Sequence, residues 1–412
     1  MNREAAFAAI DIGTTKTCAL VAGLGKEGDL QVLGAGVAPS RGLRKGVVVN
    51  IDETVAAIQT AVERAERSSG IKVASAHIGV AGTHIASVNN RGVVAISRPD
   101  RLITDEDVAR VIESARTLSV PSNREVIHVI PRSYLVDGQD GVSNPMGMHG
   151  LRLDVEAHVV TGSTTSIQNL TKCVERLGIE VDDLVLDPLA SSTAVLTEEE
   201  KETGVVMADI GGGTTQIAIF IEGAVWHTSV LPAGGNNLTN DIAIGLRTPF
   251  ASAEELKLRH GHAISATIGT DERVEMASFG QEAVRTVSRR DLAEVIQARV
   301  TEMLGMVQGE IKRSGYDGLL PAGLVVTGGT ANLRGIEALG REVLELPVRV
   351  GVPRGIHGVA DAVDNPAYAT SVGLLLWGLR HSEVNYRAKK RQPGWLDVGR
   401  RLTFWVRELL PQ

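Results

Sequence analysis

The stretch Val205-Val206-Met207-Ala208-Asp209-Ile210-Gly211-Gly212-Gly213-Thr214-Thr215-Gln216-Ile217-Ala218-Ile219-Phe220 sets the fold of the chain around it. An apolar run predicts a buried strand, one carboxylate ends it, glycines and threonines follow, and an alternating run returns as the paired strand. The product is a β-hairpin whose turn carries no bulk. Gly211, Gly212 and Gly213 allow backbone N–H groups to approach a ligand closely, and Thr214 and Thr215 add hydroxyl donors. Such a turn suits an anion, for example a phosphate. Asp209, at the strand end, is placed to hold Mg²⁺ through water. A plain tight loop explains one such stretch equally well.

A second copy tips that balance. Phe7-Ala8-Ala9-Ile10-Asp11-Ile12-Gly13-Thr14-Thr15-Lys16-Thr17-Cys18-Ala19-Leu20-Val21 repeats strand, aspartate, glycine and threonines, and strand, so the chain consists of two related halves. A third glycine turn lies in Leu324-Val325-Val326-Thr327-Gly328-Gly329-Thr330-Ala331-Asn332. A buried strand followed by Gly-Gly at the start of a helix leaves room for a flat ring, which suits a nucleotide's base and sugar.

With 412 residues the chain can build two or more domains. Forty-five glycines against 4 Trp, 4 Tyr and 5 Phe predict many turns and aliphatic cores. A net charge of −7 gives no electrostatic case for nucleic acid. Cys18 and Cys173 lack metal or CxxC spacing and read as core residues in a reducing cytosol. The ten histidines show no HExxH spacing, which argues against histidine metal catalysis. Asp11 interrupts the first apolar run before it makes a signal sequence, and the late apolar run 372–379 falls short of the ~20 residues a membrane span needs. The expectation is a protein neither secreted nor membrane-spanning.

After the first hairpin, strand pieces at 30–37 and 46–49 precede a helix capped by Asp52, with Val55, Ile58, Ala61, Val62 and Ala65 on its apolar face and Gly70 at its end. A strand at 73–80 completes the opening of an RNase H-like α/β half. Residues 83–162 then read as an α+β insertion: a hairpin at 85–96, a helix begun by Thr104-Asp105-Glu106-Asp107, and strands at 126–136 and 151–160. No catalytic constellation stands out there, so a binding or assembly role fits better. Asp187 opens a helix rich in small residues, Ala190, Ser191, Ser192 and Ala194, suited to a hinge beneath a cleft. Asp187 either orients a water near a terminal phosphate or simply caps that helix.

In the second half Glu254 and Lys257 share a helical face, able to reach a ribose or adenine or merely to pair with each other. Arg289, Arg290 and Arg299 lie at or near the start of a long helix, either to receive an acidic peptide or as a solvated basic face. Residues 365–373 give another small-residue helix, mirroring the one after Asp187. Beyond it, 381–394 read as a basic linker and 395–412 as an amphipathic helix. Trp395, Val398, Leu402, Trp405, Val406, Leu409 and Leu410 share its apolar face, flanked by arginines. That pattern suits an anionic membrane interface.

These motifs together resemble the actin/Hsp70/sugar-kinase superfamily, with Asp11 to Lys16 and Asp209 to Thr215 as its phosphate motifs and Thr327 to Thr330 as its adenosine motif. Within it the resemblance is to the FtsA family of bacterial cell-division proteins, because the insertion follows the strand at 73–80 and a basic linker leads to an amphipathic tail. The resemblance implies an actin-like ATPase fold with one RNase H-like half over 1–82, 163–198 and 364–380, and the other over 199–238 and 309–363. Subdomains are inserted at 83–162 (assembly) and 239–308 (nucleoside and peptide contacts). It implies ATP and Mg²⁺ as cofactors, with Asp11 and Asp209 serving the metal and Asp11 and Asp187 the catalytic candidates. Gly13, Thr14, Thr15, Lys16 and Gly211 to Thr215 would hold phosphates, and Glu254, Lys257, Gly328, Gly329 and Asn332 the nucleoside. At most a weak Mg-dependent ATPase follows. Further implied are self-assembly into filaments at the inner face of the cell membrane, the acidic C-terminal peptide of FtsZ on Arg289, Arg290 and Arg299, and recruitment of later divisome proteins. The alternatives are a PilM-like pilus-assembly protein, which would do without the tail, and a small-molecule kinase.

Overall fold

The computed structural model describes residues 6–25, 30–117, 120–277, 285–358 and 363–389. Two sheets carry the two halves, and their strand orders correspond. In the first, Leu30–Pro39, Lys16–Leu24 and Ala6–Ile12 pair antiparallel in that order, and Ser75–Val80 and Glu180–Leu186 continue it in parallel. In the second, Ala224–Leu231, Thr215–Ile221 and Val205–Ile210 pair antiparallel, and Leu324–Thr327 and Val348–Val350 continue in parallel. The duplication read from the two aspartate hairpins thus extends to whole sheets. A short strand, Ile356–Gly358, crosses from the second half to pair with Leu30–Val32 at the edge of the first sheet.

Strand alternation divides each half's apolar residues between two cores. Ile10, Ala19 and Val21 face helices Ile51–Ser69 and Thr164–Glu175 on the outside of the first sheet. Ala9, Cys18 and Leu20 face inward, where they meet Val205, Met207 and Phe220 from the second sheet. Helices Asp187–Val195 and Ala369–Lys389 fill this shared core. Outside the second sheet, helix Arg289–Ser314 packs Leu292, Ile296, Val300 and Leu304 against Val206, Ala208 and Ile217. Both cysteines are free and buried, as core residues should be.

Residues 82–163 build a third sheet of Ala86–Ala95, Arg152–Ser163, Arg124–Val136 and Gln139–Val142, with helix Asp105–Arg116 on one face. The expected hairpin at 85–96 is instead one continuous strand, paired along its length with Arg152–Ser163. Asn89-Asn90-Arg91-Gly92 has turn chemistry, but long-range pairing overrides it. Gly92 serves close packing there, since a Cβ on it would lie 2.2 Å from the Val111 carbonyl of the helix above.

Three smaller expectations also shift. Asn50, not Asp52, caps the first helix, its side chain accepting from the Glu53 N–H (3.2 Å). Pro232-Ala233-Gly234-Gly235-Asn236-Asn237 reads in sequence as a turn with a helix from Leu238 onward, yet that helix begins at Gly235. Helix Ala369–Lys389 runs through most of the stretch read as linker, because 381–389 contain charge but no glycine or proline to stop a helix. The amphipathic segment, with Trp395, Val398, Leu402, Trp405, Val406, Leu409 and Leu410, lies outside the described residues. Among the described residues no helix is long and apolar enough to cross a membrane.

Candidate functional site

The two aspartate hairpins meet tip to tip at a cleft of about 620 Å³ between the halves. Each turn spans four residues closed by one backbone bond. The Gly13 N–H donates to the Lys16 carbonyl and the Gly211 N–H to the Thr214 carbonyl, both at 3.0 Å. Register therefore equates Gly13 to Lys16 with Gly211 to Thr214, and Thr17 with Thr215. Thr14, Thr15 and Lys16 line the cleft from one side and Gly211, Gly212, Gly213 and Thr214 from the other. Thr215, expected on the phosphates, does not line it. As the first residue of the return strand it points into the core, and its hydroxyl donates to the Ala233 carbonyl (2.9 Å). Its counterpart Thr17 is likewise buried, sharing a hydrogen bond with Ser40 (2.7 Å).

Three carboxylates sit beneath these turns. Asp11 Oδ2 accepts from the Ser371 hydroxyl (2.9 Å), while Asp209 Oδ2 accepts from Ser191 (2.7 Å) and Thr370 (3.1 Å). Asp187 Oδ2 accepts from the Gln216 amide (3.2 Å), and its Oδ1 has no hydrogen-bond partner among the described residues. Burial is the largest influence on all three. It raises Asp11 to about 6 against the attraction of Lys16, raises Asp209 against its two hydroxyl donors, and raises Asp187 well above the ordinary carboxylate range, with Asp11 repelling it further. Asp187 is the first residue of its helix and lines the cleft, but it does not cap the helix: Leu186 is the N-cap and no side chain hydrogen-bonds there.

Among the described residues, Lys16 is the cation that attracts Asp11 and Asp209. Its ammonium stands 3.3 Å from the centroid of the Tyr368 ring and has no hydrogen-bond partner among the described residues. Burial pulls its pKa down while Asp11 pulls it up. A buried ammonium and a buried carboxylate oxygen, each without a hydrogen-bond partner among the described residues and both lining one cleft, are costly features that an oxyanion with a divalent cation would relieve. The donor set thus fits a metal-bound phosphate.

At the far end of the cleft, Gly328 and Gly329 lie beside Thr330, whose hydroxyl donates to the Gly211 carbonyl (3.3 Å) and ties this turn to the second phosphate turn. Glu254 and Lys257 form the ion pair allowed by their spacing (2.7 Å), and they also line the cleft. Asn332 lines it too, its amide paired reciprocally with Asn365 (2.9 and 3.1 Å). Sequence reasoning missed Gln216, Asn236, Arg334 and Tyr368, which complete the walls. Only Gln216 left a signal: it follows Thr215 and alternates to the opposite face.

Arg289, Arg290 and Arg299 lie away from the cleft and are not free. Arg299 bonds Asp241 through two nitrogens and Glu302 through a third, Arg289 pairs with Glu272, and Arg290 lies 3.7 Å from Glu294. The expected open basic pocket is therefore a set of arginines already matched by acids, with Arg290 the most loosely held.

The family model described as Cell division protein FtsA matches residues 206–373, and that of the SHS2 domain inserted in FtsA matches residues 82–161. Over 371 residues the chain is 48% identical to the cell division protein FtsA of Pseudomonas aeruginosa, covering 90% of this chain and 88% of that protein. This chain belongs to the FtsA family of cell-division proteins. The FtsA of Escherichia coli is 39% identical over 97% of both chains, and that of Bacillus subtilis 42% identical over 94% of this chain and 86% of its own. Among solved structures, a PilM–PilN type IV pilus biogenesis complex superposes with TM-score 0.65 at 16% identity, covering 90% of this chain and 98% of that one. MreB5 of Spiroplasma citri, bound to ADP, superposes with TM-score 0.57 at 14% identity, covering 94% and 99%. At such identities these likenesses establish the actin-like ATPase fold of this FtsA-family member and nothing finer.

Proposed function

We propose that this FtsA-family protein binds Mg-ATP in the cleft, self-assembles, and carries FtsZ filaments to an anionic membrane at the division site, where it recruits later divisome proteins. The carrying observation is the pairing of two equivalent turns over Asp11 and Asp209, with a Lys16 ammonium that has no hydrogen-bond partner among the described residues. MreB5, of the same fold, was solved with ADP and with AMPPNP. Gly13 to Lys16 and Gly211 to Thr214 grip the phosphates, and Asp11 and Asp209 hold water around Mg²⁺. Gly328 and Gly329 pack the base, with Glu254, Lys257 and Asn332 at the nucleoside. Bound Mg²⁺ would offset the charge of the phosphates and the acids. Asp187, whose protonated form burial favours, is placed to orient water.

Binding measured by calorimetry tests this reading through pH. Asp11's folded pKa lies above its ordinary value, so its contribution to stability is full at low pH and is lost as pH rises through about 6. Mg-ATP needs the carboxylate, so affinity is expected to fall below pH 6 and to level off above it, with proton release on binding in the acid range. A pH-independent affinity between 5 and 7 would reject Asp11 as a metal-side group.

For the acidic C-terminal peptide of FtsZ, the peptide's carboxylates would replace the intramolecular acids at Arg289, Arg290 and Arg299. Arg290→Glu is expected to weaken peptide binding about tenfold at low salt and less at high salt; equal binding by both proteins would remove Arg290 from the interface. Membrane attachment is assigned to 395–412. The full chain should float with anionic vesicles and a chain ending at Arg380 should not. Equal flotation would end the anchor assignment.

A further inference from the structure

The inserted sheet has two unlike faces. The face toward helix Asp105–Arg116 is apolar, built from Val129, Leu153, Ala157 and Val159. The opposite face carries Ser87, Asn89, Ile130, Arg132, His158 and Val160. It meets strand Ala224–Leu231, which belongs to the other half of the molecule from the one into which the insertion is spliced. Ile130 and Val160 reach the core shared by the two halves, alongside Val225. Around that apolar pivot the contacts are polar. The Ser87 hydroxyl donates to the Thr228 carbonyl (2.8 Å), and the Asn89 amide donates to the Trp226 carbonyl and the Tyr316 hydroxyl (both 3.4 Å).

His158 is the centre of this contact. Its Nδ1 lies 2.7 Å from Asn89 Oδ1, which can only accept, so Nδ1 carries the proton and Nε2 accepts from the Thr228 hydroxyl at 2.9 Å. Burial, with His227 and Arg132 nearby, holds the imidazole neutral, its pKa pushed down to about 3. The chain Asn89, His158, Thr228 thus has one consistent proton arrangement, and it exists only in this relative placement of insertion and second half. Arg132 stacks on Trp226 at 3.9 Å, yet Arg132 Nε and Trp226 Nε1 lack hydrogen-bond partners among the described residues. Water would satisfy both if the face separated, so the docked state is specific without being deep.

The insertion also contacts segments that adjoin the cleft. Its first residue pair is braced where Gly82 packs on Gly46, a Cβ on Gly46 falling 2.6 Å from the Gly82 Cα. The Gly46 N–H in turn donates to the hydroxyl of Thr14 in the first phosphate turn (3.2 Å). On the other side, His128 Nε2 accepts from the N–H of Leu186, the residue before Asp187 (2.9 Å).

We propose that the insertion is a cross-brace between the halves, whose Asn89–His158–Thr228 contact docks or releases as the cleft changes state, so that the pose of the insertion reports cleft occupancy. This rests on the reading of the cleft as a nucleotide site. A polar contact of this kind between parts of a chain is the sort that permits relative motion. A coupling free energy between two sites acts in both directions, so weakening the brace must alter nucleotide affinity.

The test uses the full chain with Mg-ATP, following nucleotide binding by calorimetry and hydrogen exchange by mass spectrometry. Saturating Mg-ATP is expected to change exchange in Ala86–Ala95 and Ala224–Leu231 by about fivefold or more while helix Asp105–Arg116 is unmoved. Thr228→Val, and separately Asn89→Ala at the exposed rim, are expected to shift Mg-ATP affinity about fivefold and to flatten that response. The unmoved helix shows that each variant is folded. Normal Mg-ATP binding with unchanged exchange in both strands, or wild-type affinity in both variants, overturns the brace and leaves the nucleotide site standing. Absence of Mg-ATP binding by the wild-type chain overturns both.

Discussion

Gly212→Val is expected to lower Mg-ATP affinity by roughly 10- to 100-fold, while Gly211→Ala stays within about threefold of the parent. A Cβ on Gly212 would fall 1.9 Å from the Thr15 hydroxyl and 3.1 Å from its Cβ, across the cleft on the first turn. On Gly211 it would meet only the Thr214 carbonyl at 3.4 Å, an ordinary contact. Rotation of Thr15 can move its hydroxyl but not its Cβ, so valine at 212 must push the two turns apart. Overpacking of this kind costs about 1–3 kcal/mol, and about 1.4 kcal/mol is tenfold in affinity. The glycines therefore serve the fit of turn against turn as well as room for a ligand. Calorimetric titration decides it: parental affinity in Gly212→Val would mean that the turns do not close together on the ligand. Unchanged circular dichroism in both variants would keep the loss from being ascribed to unfolding.

The turns, strands and cores were legible because their signals are local. Strand, aspartate, glycine and threonine recur in the two halves within a few residues, and the period-2 alternation after Thr214 predicted the return strand of the hairpin. The same alternation, carried one step further, would have sent Thr215 inward and Gln216 to the cleft. The two threonine pairs invite a match of Thr14-Thr15 with Thr214-Thr215, whereas the backbone turns align Thr17 with Thr215. What sequence could not show are partners joined only by folding. Ser371 reaches Asp11 and Ser191 reaches Asp209 from helices read as small for packing's sake. Arg299 looked available because Asp241, which holds it, lies on another helix. Tyr368 beneath Lys16 is likewise a meeting of distant segments.

Gly373→Val is expected to have the largest effect on the fold. Helices Asp187–Val195 and Ala369–Lys389 cross in the core between the sheets, and a Cβ on Gly373 would lie 1.8 Å from the Ala190 carbonyl oxygen and 2.3 Å from its carbon. Those are backbone atoms, so no rotamer change relieves the overlap and the helices must separate. The cost should reach at least about 3 kcal/mol, the upper range of overpacking, read as a fall of at least roughly 3–4 °C in melting temperature for a chain of 412 residues. Ala190→Gly should not rescue it, because the obstructing oxygen remains; recovery in the double variant would place the conflict in the side chain instead. The same separation must reach the cleft. Ser191 lies one residue beyond Ala190, and Thr370 and Ser371 lie within three residues of Gly373. Together they hold Asp209 and Asp11 through hydroxyl bonds of 2.7, 3.1 and 2.9 Å. Parting the helices withdraws these donors, leaving two buried carboxylates that protonate more readily. Mg-ATP affinity in any folded fraction should then fall further than in Ser371→Ala, which removes only one donor. A Gly373→Val protein that melts lower yet binds Mg-ATP as tightly as Ser371→Ala would show that the crossing supports the fold without setting the geometry of the two aspartates.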